Sequence, residues 1–218
     1  MDHPNAISKE CLIDELAYGI GKDPLLYRLE LLEKEVDMGS SSQRDIRSRK
    51  KVKGLYKKIL HFIQENAYWK GTPGQGLAIQ HFGDTVCAQI AEVTMDGQHG
   101  YTVQRVTAIV SCGTVVNPHF ATGQVEGGII WALTALYYGG INIENGQVVG
   151  DNFDKTKVIR MDESPKIDVI FLESQDPPTG LGEPGVPPLA PAVLNAIFSA
   201  SGKRIRKIPV TPDDLKNS

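Results

Sequence analysis

The stretch Pro178-Thr179-Gly180-Leu181-Gly182-Glu183-Pro184-Gly185-Val186-Pro187-Pro188 holds three glycines, four prolines and a single charge. Proline removes a backbone donor and glycine weakens helix and strand alike, so neither a helix nor a central strand forms across it. It reads as a shaped loop. Pro184 biases Glu183 toward an extended backbone, and Gly180, Gly182 and Gly185 let the chain approach a ligand closely or take positive φ. A carboxylate held on such a loop, just ahead of a helix, is a candidate catalytic base. An exposed turn with one solvated acid stays open as the alternative on these residues alone.

Downstream, Pro191 near the start and Gly202 past the end bracket a helix from about Ala190 to Ser201. Lys203, Arg204, Arg206 and Lys207 follow, where they suit a helix C-terminus or a partner surface. Upstream, Lys166 to Leu172 reads as a strand, and Asn145-Gly146 folds Ile141 to Val149 into a hairpin. Between His119 and Tyr138, Ala121, Ile129, Leu133 and Leu136 recur at helical spacing despite Gly127-Gly128, although each glycine costs roughly 1 kcal/mol there. Close packing against another backbone or a large ligand accounts for glycines so placed. Gln124 offers such a ligand both amide donors and an acceptor. Simple tight helix packing with Gln124 on the surface is an equal alternative.

Further upstream, Leu77 to Phe82, Val86 to Asp96 and Tyr101 to Cys112 are rich in β-branched and apolar residues. Gly97-Gln98-His99-Gly100 separates the last two at hairpin length, which predicts an antiparallel pair. Three helical patterns precede them. Ile7, Cys11, Leu12, Leu16, Ala17 and Ile20 form one stripe; Leu25, Leu26, Leu29 and Leu32 form a second, with Asp23 as N-cap and Pro24 at the first position. Asp37 to Ser48 reads as a loop, and a third helix runs from about Ile46 to Asn66, with His61 expected as a partly buried structural residue. His81 and His99 are expected at a strand edge and a turn tip. The order predicts an α+β fold with a mainly antiparallel sheet and packed helices, either as a helical segment over 1–70 and a domain over 71–218 or as one continuous domain.

Composition excludes several classes. Hydrophobic residues at 41% and charged residues at 22% match an ordinary folded domain. A formal net charge of −3 leaves no basic excess to neutralise nucleic-acid phosphates. Cys11, Cys87 and Cys112 are far apart and show no CxxC or Cys/His spacing, so no zinc or iron–sulfur site is expected, and each reads as a small buried apolar residue. No apolar run reaches the roughly 18 residues of a transmembrane span, and no signal-peptide pattern stands at Met1.

Four stretches together carry a resemblance: Cys11-Leu-Ile-Asp-Glu-Leu-Ala with Asp23-Pro-Leu-Leu-Tyr-Arg-Leu; Ser111-Cys-Gly-Thr-Val-Val-Asn-Pro; Gly123-Gln-Val-Glu-Gly-Gly; and Gly180-Leu-Gly-Glu-Pro-Gly-Val-Pro-Pro-Leu-Ala-Pro-Ala-Val-Leu-Asn-Ala-Ile-Phe. In this order the chain resembles the molybdenum-binding large subunits of the xanthine oxidase family. The branch it is most similar to is that of the isoquinoline 1-oxidoreductase beta subunit and related aldehyde dehydrogenase large subunits. The resemblance implies that Glu183 lies beside the molybdenum and takes the proton of a metal-bound hydroxyl as its oxygen attacks an electron-poor carbon of an N-heterocycle or aldehyde. It implies that Gln124 hydrogen-bonds the pterin, with Gly123, Gly127, Gly128 and Gly182 letting backbone approach it. It further implies a molybdopterin in the cytosine dinucleotide form, no protein ligand to the metal from this chain, and electrons leaving through [2Fe-2S] clusters on a small partner subunit.

The matching stretches belong to the family's C-terminal portion, beginning past its arginine-containing loop. Cofactor binding and turnover are therefore expected to need the N-terminal remainder of the subunit. Ser111 stands where the family often has aspartate, and Thr156 where an aromatic residue is common. The competing expectation is a non-catalytic binding or assembly module that keeps the fold without the cofactor.

Overall fold

The computed structural model describes residues 3–34, 43–96, 99–150, 152 and 154–216. Three helices come first: α1 (His3–Gly19), α2 (Pro24–Glu33) and α3 (Gln43–Glu65). As the sequence predicts, Pro24 opens α2 and Asp23 caps it, its Oδ1 accepting from the Leu25 and Leu26 amides at 2.8 and 3.0 Å. Of the loop expected over 37–48, positions 37–42 lie outside the described residues and 43–48 are already helical.

The sheet follows. Strands β1 (Gln75–Phe82), β2 (Thr85–Thr94) and β3 (Thr102–Ser111) form an antiparallel meander, with Leu77 opposite Ile90 and Cys87 opposite Val110. Helix α4 (Pro118–Tyr138) and a small hairpin, β4 (Asn142–Glu144) with β5 (Gln147–Val149), lead to β6 (Lys166–Phe171). Asn145 and Gly146 take positive φ of 50° and 79° at the hairpin tip, as the Asn-Gly pair predicts. β6 joins β3 in parallel, giving the order β1-β2-β3-β6. A parallel neighbour requires a long crossover, and α4 with the hairpin supplies it. The fold is thus α+β with a mostly antiparallel sheet, completed by α5 (Leu189–Ser201) and the short α6 (Pro212–Lys216).

Strand alternation divides the core between the two sheet faces. Ala78, Cys87, Val106, Ala108 and Val110 face α4 and α5, while Leu77, Ile79, Val86, Ala88, Ile90 and Ile109 face α2 and α3. The buried side of α1 differs from the expected stripe. Leu12, Leu16 and Ile20 are exposed, and beside Ala17, which is buried as expected, the helix buries Ala6, Glu10 and Asp14. The reason is ionic. Glu10 Oε2 accepts from Arg28 Nε at 3.0 Å and from the Ile79 amide at 3.2 Å, while Arg28 Nη2 donates to the Leu77 carbonyl at 3.1 Å, so this polar face is the one that docks. Leu26 of α2 is likewise exposed rather than part of the buried stripe.

Among the histidines only His61 departs from expectation, while His81 lies on the edge strand β1 and His99 in the β2–β3 connection as expected. His61 is exposed, and His99 is half-buried with its ring stacked on Tyr137 at 4.3 Å; Gly97 and Gln98 beside it lie outside the described residues. His81, exposed near the end of β1, sits 3.4 Å from the Tyr56 hydroxyl. Cys87 and Cys112 are buried and Cys11 half-buried; burial pushes the Cys11 and Cys87 thiols up to about 12, which removes their nucleophilic thiolate. Beyond α5, which Gly202 ends in the left-handed conformation, Arg204 and Arg206 pair with Asp14 and Glu15 of α1 at 2.7 and 2.8 Å. Those basic residues tie the end of the described chain to its first helix.

Candidate functional site

The glycine-proline loop is suspended over the α4–α5 side of the sheet by a series of backbone bonds. It leaves β6 beside the 110–114 segment, with Leu172 N donating to Val110 O at 2.9 Å, Thr114 N to Asp176 O at 2.9 Å and Thr179 N to Cys112 O at 2.8 Å. Gly113 makes this close run possible. Its φ is +73°, and a Cβ there would stand 2.1 Å from the Pro177 carbonyl oxygen. Beyond it, Thr85 Oγ1 donates to Gly180 O at 2.7 Å, Gln124 Nε2 to Gly182 O at 3.0 Å, and Gln89 Nε2 to Gly185 O at 2.7 Å. A turn closes with Val186 N on Glu183 O at 2.9 Å. Pro184 and Gly185 are buried while Gly182 and Glu183 are exposed, so the loop's anchored side holds Gly182 and Glu183 outward.

Helix α4 forms the opposite wall. Asn117 caps it, accepting from the Phe120 amide at 3.1 Å, and Pro118 opens its first turn. The expected glycine contacts divide. A Cβ on Gly128 would meet Val186 Cγ2 at 3.4 Å, and one on Gly185 would meet the Val125 carbonyl oxygen at 2.8 Å, so this pair lets helix and loop pack backbone to backbone. Gly123, Gly127 and Gly182 have nothing within 4 Å of the added methyl. Their outer sides are open.

Between these walls lies a groove of about 310 Å³ lined by Gln124, Gly127, Gly128, Trp131, Gly182, Glu183 and Val186. The fold therefore gathers five of the expected residues, Glu183, Gln124, Gly127, Gly128 and Gly182, from two segments onto one surface. Gly123, one turn earlier on α4, is exposed but outside that lining. Trp131 is the residue that motif reading missed. It lies seven positions after Gln124, on the same helix face, and helical periodicity was the signal available. Thr85 and Gln89 were missed as well; a glutamine between Ala88 and Ile90 in an apolar strand was the sign. Gln124, which lines the groove, is already committed through one amide hydrogen to the loop, so its Oε1 and second N–H are the amide atoms that this bond does not use.

A larger crevice of about 410 Å³ lies between α1, α2 and the end of α5, lined by Tyr18, Trp69 and Phe198 with several polar residues. Those polar groups are committed internally: Asp14 to Arg204, Asp23 to Trp69 and its own helix cap, Gln75 to Lys70 and Glu92, Asn195 to the Glu10 and Leu77 carbonyls. Most of the polar groups of that crevice thus serve the scaffold.

The fold and groove define an α+β domain that presents one carboxylate across from a glycine-floored helix face. Residues 29–165 match the molybdopterin cofactor-binding domain, and the chain belongs to the molybdopterin-binding proteins of the xanthine oxidase family. It is 34% identical over 216 residues to a membrane-bound aldehyde dehydrogenase [pyrroloquinoline-quinone] of Gluconacetobacter polyoxogenes, covering 94% of this chain and 27% of that protein. It is 29% identical to a nicotinate dehydrogenase subunit of Pseudomonas putida, covering 98% and 18%, and 26% identical to the beta subunit of isoquinoline 1-oxidoreductase of Brevundimonas diminuta, covering 94% and 25%. Among solved structures it is similar to quinoline 2-oxidoreductase from Pseudomonas putida 86, with a TM-score of 0.54 and 25% identity over 62% of this chain and 18% of that one. A Cu,Mo-CO dehydrogenase gives 0.53 and 26% over 60% and 18%. The chain thus spans about a quarter or less of these relatives' lengths.

The groove fits one edge of such a cofactor. Gly127 and Gly182 leave backbone uncovered, Gln124 presents an amide matched to a pterin's donor–acceptor edge, and Trp131 supplies a flat apolar wall. Among the described residues no three His, Cys, Asp or Glu side chains converge as metal ligands.

Proposed function

We propose that this chain is the C-terminal part of a molybdenum hydroxylase that oxidises an N-heterocycle or an aldehyde with water as oxygen source, Glu183 serving as general base. The convergence of Glu183, Gln124, Gly127, Gly182 and Trp131 on one groove carries this reading. The molybdenum–pterin group, when bound, supplies the two-electron redox chemistry. The protein's share is positional and protolytic. Gln124 orients the pterin edge through its remaining amide atoms, the glycines admit it, and Glu183 takes up a proton at its carboxylate as water-derived oxygen is transferred. In keeping with the aldehyde-, nicotinate- and isoquinoline-oxidising names of its relatives, the substrate is a small electron-poor carbon compound. The cofactor is the cytosine dinucleotide form, the N-terminal remainder of the subunit encloses it, and a small [2Fe-2S] subunit receives the electrons.

Glu183→Gln in the full-length subunit tests the base. Loss of a positioned general base lowers turnover by about 10²- to 10⁴-fold, with molybdenum content retained; undiminished turnover sinks the assignment. One relative is named for pyrroloquinoline quinone, so metal analysis and pterin fluorescence of the purified protein belong in the same experiment. Absence of both with the fold intact supports a non-catalytic module instead.

A further inference from the structure

Gln89 is fully buried in the middle of β2, where its neighbours Ala88 and Ile90 are core residues. Half of its amide works: Nε2 donates to the Gly185 carbonyl at 2.7 Å. The other half, Oε1, is buried with no hydrogen-bond partner among the described residues. An unsatisfied buried acceptor costs about 1–3 kcal/mol, a penalty that a methionine of similar length avoids. Packing alone therefore does not account for glutamine here; the donor to Gly185 does.

Thr85 stands four residues earlier on the same face of β2, roughly 14 Å along the strand, and is also fully buried. Its hydroxyl lies 2.7 Å from the Gly180 carbonyl and 2.6 Å from Thr179 Oγ1. The two tethers grip the loop at Gly180 and Gly185, one on each side of Glu183. Glycine carbonyls carry no side chain that would otherwise lock the peptide planes, so the orientation of that arc is set from beneath.

We propose that Gln89, with Thr85 as the second tether, is a positioning residue that fixes where the Glu183 carboxylate stands in the groove. Neither side chain lines the groove, so each acts through the loop rather than on a bound molecule. The proposal deepens the reading of Glu183 as base and rests on it for its kinetic consequence; its structural consequence stands alone.

The test compares Gln89→Met and Thr85→Val, each close in shape and unable to donate, with Glu183→Gln in the full-length protein. Expected for Gln89→Met is about tenfold faster deuterium exchange at the Val186 amide, the worth of one hydrogen bond, with β1–β3 exchange unchanged. It is accompanied by a kcat loss of about 10- to 100-fold, the scale of an ångström-sized misplacement, while KM and molybdenum content hold. Thr85→Val repeats the pattern on the Gly180 side and keeps the proposal testable where Gln89→Met folds poorly. Wild-type loop exchange in both variants, or exchange raised equally across the whole sheet, overturns it. If Glu183→Gln keeps full turnover, the base assignment fails, and loop exchange still judges the tether.

Discussion

Gly127→Ala separates what the protein needs from what the groove receives. Gly127 lies inside α4, exposed, with nothing within 4 Å of an added Cβ. In the protein alone the alanine should therefore stabilise, by about 0.5–1 kcal/mol, because glycine gives up more backbone freedom on entering a helix. For a domain of this size that is a rise of about 1–4 °C in Tm. The same methyl stands in the groove, because Gly127 is part of its lining. A cofactor packed there at contact distance meets a methyl it has no room for, and overpacking of that kind costs about 1–3 kcal/mol, or roughly 5- to 150-fold in affinity. The two effects have opposite signs in one variant. Gly123→Ala is the internal control: also helical, also open, but outside the groove lining, so it should gain the stability and keep the cofactor. Differential scanning fluorimetry gives Tm, and molybdenum per protomer under limiting cofactor supply gives occupancy. Wild-type metal content in Gly127→Ala would refute the placement of the cofactor at this face.

Two further tests concern the scaffold. Glu10→Ala leaves Arg28, 3% exposed, without its carboxylate partner, and breaking a buried pair by removing one side costs about 3–5 kcal/mol; thermal melting should show a fall of about 6–20 °C, and a fall under about 2 °C would dismiss the pair's role. Asp214 is held down at about 2 by Lys207 and by the Thr211 hydroxyl and amide. Its folded pKa is below the unfolded 3.8, so its contribution is complete above pH 3.8 and is lost as pH falls toward 2. Amide exchange followed by NMR should show the Pro212–Lys216 helix loosening first across that window.

Much of the local structure was legible because its causes lie within a few residues. Asp23-Pro24 starts α2, Asn145-Gly146 turns the hairpin, Gly202 ends α5, and the β-branched and apolar runs on either side of 97–100 pair as β2 and β3. The site was legible in part. Glu183 and Gln124 stood out because glycine and proline around them exclude ordinary secondary structure or strain it. Trp131 did not, since an aromatic in an apolar helix looks like core until its exposure of 69% is known.

What the sequence by itself determined is therefore the set of elements and the chemical character of two segments, the α4 glycine run and the 178–188 loop, because capping, turn geometry and side-chain periodicity act over one or two helical turns. Only the tertiary structure decided how they meet. The burial of α1 by its acidic side depends on Arg28 and the backbone of β1, and β6 lies parallel to β3 because α4 crosses over the sheet. The Glu183 loop, in turn, is held by Thr85 and Gln89, whose carbonyl partners lie 95 and 96 positions away along the chain. Hydrogen bonds of that reach have no local signature: the donor is chosen by the strand's register, and the register is set by burying both faces of the sheet.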